Sequence, residues 1–214
     1  MIFKRKLRFI LFGNKGTGKT TLARLLTGLP FLQGIEPTKE NNKFNGVIKL
    51  ESSRNSSFFT LERFRKYKLS VIDVPGSFED RRHWRDAFKK SKKPYALCVV
   101  VEPFQSIPET QSVFEELYNR YLESISNDLE KADNIASHSS LLILIVFNDI
   151  SKGEFDEHQY YESVIKETVS IIRQKIPLLL VDYVRINLQD TPKNYYDLNA
   201  ILERIKRFYY DQKY

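Results

Sequence analysis

The chain has 214 residues, of which 42% are apolar, and a formal net charge of +7. That size suits one α/β domain with a full core and an extra segment or two. The single cysteine, Cys98, excludes a disulfide framework and a cysteine-based metal site within the chain; the apolar run Leu141 to Phe147 falls far short of the ~20 residues that cross a bilayer.

The basic excess suits an anionic partner such as nucleotide, acidic lipid or nucleic acid, without choosing among them. Met1-Ile-Phe-Lys-Arg-Lys has no signal-peptide core and no Met-Gly start, and the chain end has no prenylation cysteine. A soluble, cytoplasmic protein is expected, with a peripheral visit to a membrane left open. Cys98 lies in the apolar run Ala96 to Val101, as a small core residue would.

Apolar segments alternate between strand and helix periods, the pattern of a mostly parallel sheet with helices on both faces. Leu7 to Phe12 is a strand running into Gly13. Lys19 to Leu29 is helical, with Leu22, Leu25, Leu26 and Leu29 on one face. Phe44 to Leu50 and Tyr67 to Val74 are strands, joined by a polar stretch, Glu51 to Phe64, that forms the tip of an extended hairpin. Tyr95 to Val101, Leu141 to Phe147 and Leu178 to Ile186 are three more strands. Helices are expected over about Thr110 to Leu129, Glu157 to Lys175 and Tyr195 to Tyr209, their apolar stripes serving as core. Ser126 to Ser140 is a helix end and loop. The whole, residues 1 to 214, is expected to form one domain.

Gly13-Asn-Lys-Gly-Thr-Gly-Lys-Thr20 matches G-x-x-x-x-G-K-[ST] between a strand and an amphipathic helix. Glycines let the backbone curl until its N–H groups point at phosphates, and the helix N-terminus adds partial positive charge. Asn14, Lys15, Gly16, Thr17, Gly18, Lys19, Thr20 and Thr21 are the candidate phosphate-binding residues. Lys19 would reach the β- and γ-phosphates, and Thr20 would ligate Mg²⁺. A second element, Asp73-Val-Pro-Gly76, ends a strand. Asp73 would hold Mg²⁺ through water and the Gly76 N–H would meet the γ-phosphate. A third is Thr38, whose hydroxyl and N–H could serve Mg²⁺ and the γ-phosphate, making its loop a switch.

Together these residues resemble the Ras superfamily of small GTPases, and within it the ADP-ribosylation-factor (Arf) and signal-recognition-particle-receptor beta branch. Gly18-Lys-Thr-Thr21, Pro37-Thr38 and the stretch Asp73 to Phe88, with Arg81, Trp84, Arg85 and Phe88 in register, carry the likeness. It implies a small-GTPase-like P-loop NTPase fold, GTP or GDP with Mg²⁺ as cofactors, and metal contacts from Thr20, Thr38 and Asp73. It puts the catalytic work on Lys19, Thr38 and the position of Ser77. It also implies an effector or regulatory protein at the switch loops.

The departures shape the expected function. The family has a water-orienting glutamine where Ser77 stands, so hydrolysis should be slow or partner-assisted. The family's Asn-Lys-x-Asp becomes Asn148-Asp-Ile-Ser151; Asn148 is kept, and Asp149 could read guanine if the loop is shortened. The alternative for Asp149 is a turn or capping residue. No myristoylated amphipathic helix precedes the first strand.

Basic residues cluster at Lys4 to Arg8, Arg63 to Lys68 and Arg81 to Lys93. They could meet an acidic membrane surface, or simply be a solvated surface. No aromatic-basic motif of an RNA-binding module is present, so nucleic acid is not expected. His83, His138 and His158 share no metal-ligand spacing. The sequence thus points to a GTP-binding switch. A P-loop ATPase or nucleotide kinase, and a pseudo-GTPase acting as a constitutive binding module, remain open beside it.

Overall fold

A computed structural model describes residues 5–32, 34–51, 64–91, 95–125, 140–149, 155–189 and 194–211. The strands are β1 (Arg5–Phe12), β2 (Asn42–Glu51), β3 (Phe64–Asp73), β4 (Tyr95–Val101), β5 (Leu141–Asn148) and β6 (Leu179–Ile186). The helices are α1 (Lys19–Leu26), α2 (Trp84–Lys90) after a 3₁₀ turn (Phe78–His83), and α3 (Ile107–Ile125). Then comes α4, which runs from Glu157–Tyr160 through a π turn at Tyr161–Ile165 into Lys166–Lys175. Last is α5 (Asn194–Lys206), closed by a π turn at Arg207–Asp211.

The protein is α/β, with one six-stranded sheet ordered β2-β3-β1-β4-β5-β6. Only the β2–β3 pair is antiparallel. β4 and β5 are buried at every position, as parallel strands covered on both faces must be. In β1, alternate residues feed opposite cores. Leu7, Phe9 and Leu11 join the core that holds Leu22 and Leu26 of α1 and Ile201 and Ile205 of α5. Ile10 and Phe12 join the other, with Trp84, Phe88, Phe114 and Val169 of α2, α3 and α4. Cys98 is fully buried, and burial pushes its thiol pKa up.

Pairing between β1 and β4 is short, Ile10 to Phe12 only. Below it the α5 π turn bonds to β1: Tyr209 Oη donates to the Arg8 carbonyl at 2.6 Å, and Tyr210 Oη bonds both Lys6 N and O at 2.9 Å. These hydroxyls satisfy backbone groups that a longer ladder would have used.

Two helical expectations need correction. α1 stops at Leu26 instead of reaching Leu29. Gly28 takes φ +80°, its N–H donates to the Leu25 carbonyl at 3.1 Å, and the Leu29 N–H donates to that of Arg24 at 2.8 Å. That is a Schellman ending, and it leaves Leu29 exposed. The second correction is an addition, the turn and short helix over residues 78–90. Of the expected hairpin tip, Glu51 to Phe64, and the expected helix end and loop, Ser126 to Ser140, residues 52–63 and 126–139 lie outside the described residues. No described helix is long and apolar enough to cross a membrane.

Trp84 fastens α2 to the sheet. It is fully buried, meets Phe12 edge to face at 4.9 Å, and donates its indole N–H to the Pro75 carbonyl at 2.7 Å. Trp84→Ala should cost about 3–5 kcal/mol, the usual loss for a large buried aromatic. Urea unfolding followed by circular dichroism measures it.

Candidate functional site

The site lies at the C-terminal ends of β1 and β3. There the chain leaves β1 for α1 while the strands on either side run to different partners. Such a switch point in a parallel sheet opens a crevice.

The loop from Gly13 to Gly18 turns on three glycines at φ +139°, +87° and +91°. Two of them also lack room for a side chain. A Cβ on Gly13 would sit 2.3 Å from the Val100 carbonyl oxygen, and one on Gly18 would sit 2.6 Å from Leu188 Cδ1. The loop is thus pressed against β4 on one side and the segment after β6 on the other. Within it, the Asn14 carbonyl accepts from Thr17 Oγ1 at 3.0 Å and from Lys19 Nζ at 2.7 Å. Lys19 opens α1 and is only 6% exposed. Burial, with a smaller contribution from Arg81, lowers its pKa to about 8 against the pull of Asp73.

Thr20, Thr38 and Asp73 meet beside Lys19. Thr20 Oγ1 donates to Asp73 Oδ2 at 2.7 Å, Thr38 Oγ1 donates to the same oxygen at 3.1 Å, and the hydroxyls lie 3.0 Å apart. Asp73 is fully buried, and its Oδ1 has no hydrogen-bond partner. Burial raises its pKa, while the Thr20 hydroxyl and Lys19 oppose the shift. Two hydroxyls and a carboxylate with a spare buried oxygen are hard donors, the set Mg²⁺ takes when phosphates and water complete its shell. Among the described residues no three or more of His, Cys, Asp and Glu gather as a metal site, so these oxygens are the donors that fit.

Gly76 closes this end. A Cβ there would lie 2.5 Å from Lys15 N and 2.6 Å from Lys19 Nζ, so only a glycine fits against the loop. Ser77 follows, and its hydroxyl donates to Asp80 Oδ2 at 2.5 Å. That bond joins the residue before the 3₁₀ turn to the third residue within it.

That cleft has a volume of about 840 Å³. Lys15, Gly16, Gly18, Lys19, Thr20 and Thr21 form its floor. Thr38, Gly76 and Ser77 bound one end, and Phe31, Leu32 and Gln189 also line it. The sequence matches no protein-family model, and no curated protein matches it.

Four of the expected nucleotide residues do not line the cleft; they brace it. Asn14 turns its side chain outward. Its Oδ1 accepts from Arg81 Nη2 at 2.5 Å, and its Nδ2 donates to Gln105 Oε1 at 3.0 Å and the Glu109 carbonyl at 3.2 Å. Thr17 is fully buried. Asn148 Nδ2 donates to the Thr17 carbonyl at 3.1 Å while its Oδ1 accepts from Leu188 N at 3.2 Å, so one side chain ties the phosphate loop to the segment after β6. Asp149 also lies outside the cleft lining. Its carboxylate is 1% exposed and pairs with Arg185 Nη2 at 2.5 Å, and Arg185 also donates to the Phe155 carbonyl at 3.0 Å.

Sequence reasoning missed Phe31, Leu32, Gln189 and Gln105. The first two carried a signal, two large apolar residues after Pro30 in an otherwise polar loop. Gln105 and Gln189 carried none, because their contacts come from distant chain. His83 belongs to the site's frame through its carbonyl, which accepts from Asn41 Nδ2 at 2.7 Å.

Asn148→Ala would strand the buried Thr17 carbonyl and the Leu188 N–H. Each such loss costs about 1–3 kcal/mol, so a destabilisation in that range is the minimum expected from urea unfolding.

Proposed function

We propose that this protein is a GTP-binding molecular switch of the Arf-like small-GTPase type, with slow intrinsic hydrolysis that a partner could assist. The observation that carries the reading is the meeting of the Lys19 ammonium, the Thr20–Thr38–Asp73 oxygens and Gly76 around one end of a cleft floored by a glycine-rich loop. Lys19 would hold the β- and γ-phosphates. Thr20 and Thr38 would ligate Mg²⁺ directly, with Asp73 behind them. When bound, the ion neutralises charge on the phosphate oxygens.

The switch follows from the two loops. Thr38 and Gly76 sit on separate segments that already meet through the Thr38–Asp73 bond, and both would also contact the terminal phosphate. Losing that phosphate would remove this added tie, and the surface the loops present would change. An effector or regulatory protein would read that surface. Ser77 supports slow hydrolysis, since its hydroxyl is held by Asp80 and does not orient water. Phe31 and Leu32 give the cleft an apolar wall for a base.

The Asp149–Arg185 pair favours a second reading, a P-loop ATPase or a switch indifferent to the base. Guanine is selected by a carboxylate that accepts from its ring N–H and amino group, and Asp149 is committed elsewhere. Competition binding of GTP, GDP and ATP with Mg²⁺, followed through Trp84 fluorescence, tests both. Preference for GTP and GDP upholds the first; ATP bound as well or better upholds the second.

A pH prediction follows from Lys19. Its pKa of about 8 in the free protein must rise when phosphates arrive. Below pH 8 the ammonium is already charged and takes up nothing. Above it, binding takes up a proton, and affinity should fall by up to about tenfold per pH unit. Calorimetry in buffers of different ionisation heat counts the proton. Equal heats at pH 9 would show that Lys19 does not meet the phosphates.

A further inference from the structure

We infer that Lys15 is a catalytic residue that contacts the terminal phosphate of a bound nucleoside triphosphate and supplies from within the chain the cation that speeds its hydrolysis. The inference rests on the nucleotide-binding reading and goes beyond it by assigning the intrinsic turnover to one side chain.

The backbone of Lys15 is fixed on both sides. Its amide nitrogen lies against Gly76, 2.5 Å from where a Cβ would stand, and its carbonyl accepts from Gln105 Nε2 at 3.4 Å. The preceding residue, Asn14, is held by Arg81, Gln105 and the Glu109 carbonyl. From this base the side chain is exposed and lines the cleft beside Gly76 and Ser77. The Lys15 ammonium is thus carried on a flexible stem from a backbone held beside Gly76.

The other candidates are committed. Among the described residues lining the cleft, Lys15 and Lys19 are the basic ones. Lys19 is buried and donates to the Asn14 carbonyl. Arg81 is 5% exposed, is not among the residues lining the cleft and is bonded to Asn14 and to Ser112 Oγ at 3.4 Å. Ser77 is bonded to Asp80. Lys15 is the ammonium left to meet charge that appears only during the reaction.

In that reaction a water oxygen bonds to the terminal phosphorus, and the bond from phosphorus to the β,γ-bridging oxygen breaks. The electron pair stays on that oxygen as the nucleoside diphosphate leaves, and both water protons end on inorganic phosphate. Lys15 keeps its protons and hydrogen-bonds to the oxygens that gain charge. Its contact strengthens toward the transition state, so its loss should lower kcat more than affinity.

The test is single-turnover hydrolysis of GTP and of ATP with Mg²⁺ by the full chain, beside titration of both triphosphates and diphosphates. Lys15→Ala should hydrolyse about 100-fold more slowly, the usual loss for one transition-state donor, with diphosphate affinity little changed and the melting temperature retained. Lys15→Arg should keep most of the rate. The wild type should also form a diphosphate–aluminium fluoride complex unaided, and Lys15→Ala should not. An unchanged rate in Lys15→Ala, or a triphosphate affinity that drops as far as the rate, overturns the inference. So does a wild type that binds triphosphate tightly and turns none over, although that result leaves the switch reading standing. A wild type that binds no nucleotide overturns both.

Discussion

An ammonium and a carboxylate, Lys19 and Asp73, are both held out of water where the strands end. Burial penalises each charge: it brings the lysine pKa down to about 8 and raises that of the carboxyl. Their mutual attraction, the hydrogen bond from Lys19 to the Asn14 carbonyl and those from Thr20 and Thr38 to Asp73 offset part of that cost. Buried opposite charges rarely recover the whole of it. On the proposed function, an anionic phosphate beside the lysine and a cation beside the carboxylate would complete the balance. The glycine curl, the brace from Asn148 and the close approach of Gly76 all serve to keep these two groups in place.

The same geometry couples the loops. Thr38 reaches Asp73, and three residues on, Asn41 donates to the His83 carbonyl at the start of α2. Pro75, between Asp73 and Gly76, is held by the Trp84 indole. A displacement of either loop therefore reaches α2 through two hydrogen bonds. Because Trp84 is buried against Phe12 of β1, the sheet itself is the fixed end against which the loops move.

Much of this was legible in the sequence because it is local. The all-apolar runs of β4 and β5 declare buried parallel strands, and the phosphate-loop glycines stand within a few residues of Lys19 and Thr20. The end of α1 was misjudged because Leu29 continues the helical stripe, whereas Gly28 decides the matter through its backbone. Residues 78–90 are too polar and short for periodicity to reveal a helix, and only the family likeness marked them. Asp149 could not be placed from its neighbours, since the residue that claims it, Arg185, lies 36 positions away. Asn14 likewise meets Gln105 across 91 positions. Bracing residues are chosen by the fold, and local sequence does not label them.

Among the described residues the sheet ends on β2, which pairs with β3 alone. A bare strand edge invites another chain to extend the sheet. Here Lys43, Asn45, Val47 and Lys49 alternate along the exposed face of that strand. Two copies of the protein meeting edge to edge would set lysines near lysines, and like charges across a strand pair are unfavourable. Charge along this edge therefore disfavours pairing with a second copy.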